Sequence, residues 1–164
     1  PAQKGFETRL AAAREALKPG EVAVVEGESS KIGEVNLPPK LWAAMKAAPR
    51  VVVEAPLQAR AEYLARRYAD LTADAARLEA TLRSLSRLHP AERIEHWLGL
   101  AAEGAFAELA AGLMEHHYDP RYGKQHARFA EQPSRTVPLD SLSPEALAEA
   151  APRLAQAVRD LSAA

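Results

Sequence analysis

Short valine-rich runs that alternate with helical patterns are the feature that most constrains how this chain can fold. Val22–Glu26 and Arg50–Ala55 are β-branched and bounded by turn-forming residues, so both are predicted to be strands. Between them, Pro38 and Pro39 begin the short helical pattern PPKLWAAMKAA. Because strands that alternate with helices favour a parallel sheet covered by helices, the fold class predicted is α/β.

The rest of the chain is predicted to be mostly helical. Helical patterns cover residues 3–17, 57–71, 72–88, 91–104 and 104–117, with Thr72 as the N-cap of the third. Residues 118–134 read as a polar loop, and Arg135–Leu139 as a third strand weakened by Pro138. Ser143 is predicted to cap a last helix that ends near Leu161.

This order predicts a helix-rich α/β chain with an incomplete parallel sheet of about three strands. Residues 1–70 would form the α/β portion, residues 71–117 a large helical insertion, and residues 118–164 a polar loop, the last strand and the C-terminal helix of the same domain. A strand before Pro1 would complete the sheet. An exposed sheet edge left by that strand could pair with a second copy, which would give a homodimer.

Composition narrows the class of protein. The 36 alanines favour helix but bury little area, and 21 Lys and Arg against 22 Asp and Glu show no overall basic excess. Because there is no cysteine, disulfides, thiolate metal sites and a cysteine nucleophile within this chain are excluded. No apolar run approaches the length of a membrane span and no leader is recognisable, so a cytoplasmic protein without membrane contact is expected.

The stretch VVEGESSKIG places acids, hydroxyls and a cation directly after a predicted strand. Ligands of open α/β sheets bind beyond the carboxyl ends of the strands. A phosphate site is therefore predicted there, in which an acid could steady a magnesium-bound water. Its members would be Glu26, Glu28, Ser29, Lys31 and, from the helix after the second strand, Arg60. A solvated polar turn, with the arginines of the next helix in water, is the alternative.

A second group of candidates could bind RNA. Aromatic and imidazole rings next to arginines suit base stacking and phosphate contacts. The residues are Arg66, Arg67, His117, Tyr118, Arg121 and Tyr122. Adjacent His116 and His117 point about 100° apart on a helix, so they are poorly placed to chelate one metal ion, and no metal site is predicted. A capped helix end is the alternative.

The segments QKGFE (3–7), VEGESSKIG (25–33), LPPKLW (37–42), the VVVEAP…R…YL pattern (51–64) and HYDPRY (117–122) together resemble the C-terminal part of tRNA 2-selenouridine synthases. They occur in the order found in that family. Residues 71–115 and 135–164 carry little of the resemblance. The chain contains neither a G-x-x-x-x-G-K-[ST] phosphate loop nor the cysteine that handles selenium.

The resemblance implies an enzyme in which a rhodanese-like domain with that cysteine precedes a P-loop domain. The phosphate loop would lie just before residue 1, and the fold of this chain would be a P-loop-NTPase-like remnant. Such enzymes replace the sulfur of wobble 2-thiouridine in tRNA with selenium from selenophosphate, through a geranylated intermediate made with geranyl diphosphate. This chain would then contribute phosphate, diphosphate and tRNA binding, bind no cofactor alone, and be inactive by itself. Its catalytic residues are not assigned.

Two other functions fit the same pattern. A nucleotide-kinase-like P-loop enzyme could use Arg60 and the helical insertion as a lid over a nucleotide. A non-catalytic helical interaction module would leave the acids and cations of the two candidate groups without a common ligand.

Overall fold

Helices make up most of the computed structural model, which describes residues 2–27, 29–120, 122–123 and 132–163. The helices are α1 Gln3–Glu15, α2 Pro39–Ala47, α3 Leu57–Arg67, α4 Ala69–Thr72, α5 Ala75–Ser84, α6 Ala91–Ala102, α7 Phe106–Leu113 and α8 Pro144–Ser162. A 3₁₀ turn, Leu85–Arg87, follows α5, and a π-helical turn, Met114–Tyr118, continues α7. The prediction of a helix-rich chain is confirmed.

The strands form two separate two-stranded sheets rather than one sheet of three. β1 Lys31–Ile32 and β2 Val35–Asn36 form an antiparallel hairpin, which the sequence pattern did not indicate. Gly33 has a φ of 58° while no non-glycine residue in the described ranges has a positive φ, so the two-residue loop is a type II′ turn that requires glycine first.

The second sheet pairs the valine-rich β3 Arg50–Glu54 with β4 Ser134–Pro138 in parallel. The Arg50 N–H donates to Pro133 O, and the Leu139 N–H donates to Glu54 O, each at 2.8 Å. Both strands were predicted within one or two residues of their observed bounds. Pro138 is the last residue of its strand, where the missing backbone N–H disrupts the hydrogen bonds between the strands least.

The predicted strand at Val22–Glu26 is wrong. These residues adopt neither helix nor strand, and Val22, Val24 and Val25 are 54%, 73% and 58% exposed. β-branched residues fit a pleated surface only where another strand supplies backbone partners and another layer covers the side chains. The described part of the chain supplies no such strand beside this run.

Two helix boundaries also differ from the prediction. The pattern over 57–71 divides at Tyr68, whose φ and ψ of −106° and 28° separate α3 from α4. Asp74, not Thr72, caps α5, because its carboxylate accepts the Arg77 N–H at 3.0 Å.

Ser143 is confirmed as a cap, since its hydroxyl accepts the Ala146 N–H. The predicted loop begins too early, because helical structure continues through Tyr118 to residue 120.

The chain divides into two compact units, of which the first comprises Pro1–Val52, Glu131–Arg135 and Leu154–Ala164. Its hairpin is joined to α1 by a side-chain amide. Gln3 Nε2 donates to Asn36 O at 2.8 Å, and Gln3 Oε1 accepts the Asn36 N–H at 2.9 Å. The side-chain amide of Gln3 thus satisfies both the backbone N–H and the backbone C=O of Asn36, as a third strand would. Val35 is buried in the same hairpin.

The second unit, Val53–Ala130 and Thr136–Arg153, contains the larger apolar core. This core is formed by two leucines four residues apart on α5, by apolar residues at helical spacing on α6 and by one leucine of α7. Such spacing places apolar side chains on one face of each helix, as in amphipathic helices. Its buried members are Leu78, Leu82, Ile94, Trp97, Leu100 and Leu109. α3 packs against α7 near buried alanines, whose small side chains allow close approach. Within the described ranges, no helix is long and apolar enough to cross a membrane.

Candidate functional site

Two of the predicted phosphate-binding residues of the first unit, Ser29 and Lys31, lie at the start of the β1–β2 hairpin. Ser29 Oγ accepts the Lys31 N–H at 3.1 Å, so the hydroxyl stabilises the turn that leads into the hairpin. Glu26 and Lys31 are exposed. Glu28 lies outside the described residues. Lys31 therefore offers a solvent-accessible point charge, while Ser29 Oγ already has a local structural partner.

Arg60 belongs to the second unit and lies on the first turn of α3. Its Nη1 and Nη2 donate to the two carboxylate oxygens of Asp119 at 2.8 and 2.9 Å. This bidentate pair fixes the guanidinium plane in a way that a single hydrogen bond would not. Arg60 Nε is buried and has no hydrogen-bond partner among the described residues. Whether Arg60 and Lys31 serve one ligand stays a prediction.

The hydrogen bonds from Arg60 hold the pKa of Asp119 below its usual range and raise the pKa of Arg60. A carboxyl whose pKa is lower in the folded protein stabilises the fold fully above its unfolded pKa of about 3.9. That contribution is lost as the pH falls through the lowered, folded value. Because the two side chains are 34% and 41% exposed, solvent screens the pair and its worth is about 1 kcal/mol or less.

Replacing Asp119 by asparagine is therefore expected to lower stability slightly at pH 7 and to flatten its decline below pH 4. The measurement is urea denaturation across pH 2–7, with Asp140→Asn, an exposed aspartate of the same unit, as the matched control. Identical pH profiles for the two variants would show that the Arg60–Asp119 pair contributes nothing to stability.

The HYDPRY segment is anchored by its first and third residues. His117 is buried at 8% exposure, and its Nδ1 lies 2.9 Å from His89 Nε2 in an imidazole–imidazole hydrogen bond. Its ring meets the Tyr118 ring edge-to-face at 4.9 Å. The segment begins within the π-helical turn, a rare conformation that is frequent at functional sites. His117 thus supports the segment from the inside.

The other predicted RNA-binding residues are more accessible. Tyr118 and Tyr122 are 45% and 36% exposed, and Arg121 lies outside the described residues. Arg66 and Arg67 are exposed at the C-terminal end of α3, where Arg66 Nη2 donates to Leu142 O at 3.1 Å. These cations and rings are on the second unit, together with Arg60 and Asp119.

Sequence reasoning missed two residues of this arrangement. Asp119 stands inside the HYDPRY segment between candidates, and only its position in that segment could have drawn attention to it. His89 has no recognisable signal, because its partner is 28 residues away and their meeting depends on how α6 and α7 pack.

Comparison with known proteins gives two matches. The family model described as the tRNA 2-selenouridine synthase AAA domain matches residues 1–98. A curated relative from Chromohalobacter salexigens, named tRNA 2-selenouridine synthase, is 41% identical over 70 residues. That alignment covers 43% of this chain and 19% of the relative, so it spans about a fifth of the relative's length. No solved structure matches the chain.

Proposed function

Because the chain belongs to the tRNA 2-selenouridine synthase family, we propose that it is part of a transferase that replaces the sulfur of wobble 2-thiouridine in tRNA with selenium. Selenophosphate would be the selenium donor, and a geranylated thiouridine made with geranyl diphosphate would be the intermediate. The observation that carries the proposal is the family match over residues 1–98, which includes the β1–β2 hairpin and α3.

The second unit would contribute the tRNA contacts. Arg66 and Arg67 are exposed cations at one end of α3, and Tyr118 and Tyr122 present partly exposed rings on which unpaired bases could stack. The Arg60–Asp119 pair and the buried His117 would hold the segment that carries Tyr118. In this arrangement Asp119 is a positioning residue rather than a ligand for RNA.

The first unit would contribute a diphosphate contact through Lys31. Lys31 is exposed, and no carboxylate in the described ranges lies within ion-pair distance of it. No group of three His, Asp or Glu side chains in those ranges could hold a metal ion, so no step is assigned to a metal bound by these residues. Glu26 could at most contact the hydration shell of a metal ion carried by the substrate's phosphates.

The tRNA role is tested by charge reversal of Arg67 in the protein. Arg67→Glu is expected to weaken binding of a wobble-2-thiouridine tRNA about five- to tenfold. It should also reduce the slope of log affinity against log salt by about 0.7–0.9 for each phosphate that the protein no longer neutralises, because fewer counterions are released. Fluorescence anisotropy at several salt concentrations measures both quantities.

The matched control is Arg159→Glu, an exposed arginine near the end of α8 with the same change of charge. Equal reductions of affinity in the two variants would mean that only net charge matters, and the surface containing Arg67 would then have no specific role. The chemistry is tested separately, by conversion of 2-thiouridine with selenophosphate in the complete enzyme. A requirement for ATP as phosphate donor would favour a kinase-like reaction instead.

A further inference from the structure

An aromatic side chain outside the proposed tRNA and diphosphate contacts lies on the exposed side of α3. Tyr63 is 36% exposed, and its ring meets no other aromatic ring in the described ranges. The side-chain hydrogen bonds that α3 makes in those ranges come from Gln58, Arg60 and Arg66, so the Tyr63 hydroxyl takes no part in them. The ring is therefore neither in the buried core nor fixed by its hydroxyl.

Tyr63 lies on one face of α3 with two arginines. At about 100° per residue, Arg67 points within about 20° of Arg60, and Tyr63 within about 60° of it. Side chains three or four residues apart on a helix are neighbours on its surface, so Tyr63 is next to both arginines. We call these three residues the arginine–tyrosine face of α3.

The two arginines of this face differ in what they already bind. The guanidinium of Arg60 is held by both carboxylate oxygens of Asp119. Arg67 is exposed, and no carboxylate in the described part of the chain lies within ion-pair distance of it. Beside the tyrosine ring there is thus one structural cation and one that is available to an anion.

The charge of α3 suits an anionic ligand. The helix carries three arginines and one glutamate, Glu62, whose carboxylate accepts the side-chain amide of Gln58 at 2.9 Å. The next acid along the chain, Asp70 on α4, forms no ion pair with Arg67. An exposed ring next to an available cation is the combination by which proteins hold single-stranded nucleic acid, since the ring stacks on a base and the cation neutralises a phosphate.

The Arg60–Asp119 pair connects this face to a second exposed ring. Tyr63 follows Arg60 by three residues, and Tyr118, which is 45% exposed, directly precedes Asp119. Both elements belong to the second unit, in which α3 packs against α7. One ion pair therefore holds in place two elements that each present a ring to solvent.

We propose that Tyr63 is a base-stacking residue, on which an unpaired base of the RNA stacks while Arg67 neutralises a neighbouring phosphate. The proposal rests on the tRNA role of the second unit and adds a specificity to it. A base can stack on a side chain only when it is out of its duplex. The arginine–tyrosine face thus selects unpaired over paired RNA, whereas phosphate contacts alone would accept both.

The test compares the binding of two labelled RNAs by fluorescence anisotropy. One is a single strand of about ten nucleotides, and the other is the same strand paired with its complement. Tyr63→Leu is expected to weaken binding of the single strand about tenfold and that of the duplex less than about twofold. The slope of log affinity against log salt should stay unchanged, because no phosphate contact is lost. Tyr63→Phe keeps the ring and should bind as the unmodified chain does.

The matched control is Tyr68→Leu, the same change at a 53% exposed tyrosine where α3 ends. It should leave both affinities unchanged. Equal losses in Tyr63→Leu and Tyr68→Leu would overturn the proposal, as would an equal loss for the duplex. A loss in Tyr63→Phe as large as that in Tyr63→Leu would assign the contact to the hydroxyl and also exclude stacking. Should Tyr63→Leu fold poorly by circular dichroism, Tyr63→Gln removes the ring with a residue that favours helix, and the same results are expected.

Failure of this proposal can be told apart from failure of the tRNA role. If Arg67→Glu weakens tRNA binding as expected and Tyr63→Leu does not, the tRNA role stands and the stacking proposal is wrong. If the unmodified chain binds neither the tRNA nor the single strand, the tRNA role itself fails, and the stacking proposal fails with it. Weaker binding of both the tRNA and the single strand by Tyr63→Leu, with an unchanged salt slope, would support the two together.

Discussion

Leu82→Ala is expected to lower the free energy of unfolding of the second unit by about 2–5 kcal/mol. Leu82 is 1% exposed on α5 and belongs to the apolar cluster that includes Trp97. Removing its side chain loses buried apolar area and leaves a cavity that surrounding helices fill only in part. Urea denaturation followed by far-ultraviolet circular dichroism measures the effect.

Leu88→Ala is the matched control, because Leu88 is 55% exposed in the same unit and its truncation removes little buried area. It is expected to change the free energy of unfolding by less than about 0.5 kcal/mol. If both variants shift the denaturation midpoint equally, the cluster around Leu82 is not the core that stabilises this unit.

Gly112→Ala and Gly99→Ala are expected to change stability in opposite directions. Both glycines are in helices, where alanine is favoured over glycine by about 1 kcal/mol. Apart from its chain neighbours and the backbone of its own helix, no described atom lies within 4 Å of a Cβ added at Gly99, so that substitution should stabilise the chain. At Gly112 the methyl group would lie 2.8 Å from Trp97 Nε1, and over-packing against a buried ring costs about 1–3 kcal/mol.

The expected result is therefore a rise in the free energy of unfolding for Gly99→Ala and a fall of up to about 2 kcal/mol for Gly112→Ala. Thermal and urea denaturation of the two single variants measure the difference directly. Stabilisation by both substitutions would mean that the Trp97 ring can move away from α7. The close approach of the Trp97 N–H edge to Gly112 would then not be a fixed feature of the packing between α6 and α7.

Much of the helical structure could be predicted from local patterns. The Leu78–Leu82 spacing on α5 and the Ser143 cap of α8 each depend on residues only three or four positions apart, so the sequence indicates them. The paired strands β3 and β4 were also found, because one is a continuous valine run. Val22–Glu26 has a similar composition but no described neighbour to pair with, and composition does not tell the two cases apart.

The candidate sites were predicted less completely. The family segments were enough to indicate the family, which the match over residues 1–98 bears out. They could not reveal that Arg60 is already paired with Asp119, 59 residues away, or that His117 faces inward to His89. The exposure of a side chain, and the hydrogen bonds or ion pairs that it already makes, decide whether a cation or a ring is available to a ligand. Neither can be predicted from residue spacing along the chain.

By itself the sequence determined the family, the helix-rich character and the starts of several helices, because these depend on residue type and on contacts between near neighbours. Only the tertiary structure decided which valine run became a strand, which arginine received a carboxylate and which tryptophan packed against a helical glycine. The physical reason is that hydrogen bonds, ion pairs and burial join residues distant in the chain, and their partners are set by how the helices pack.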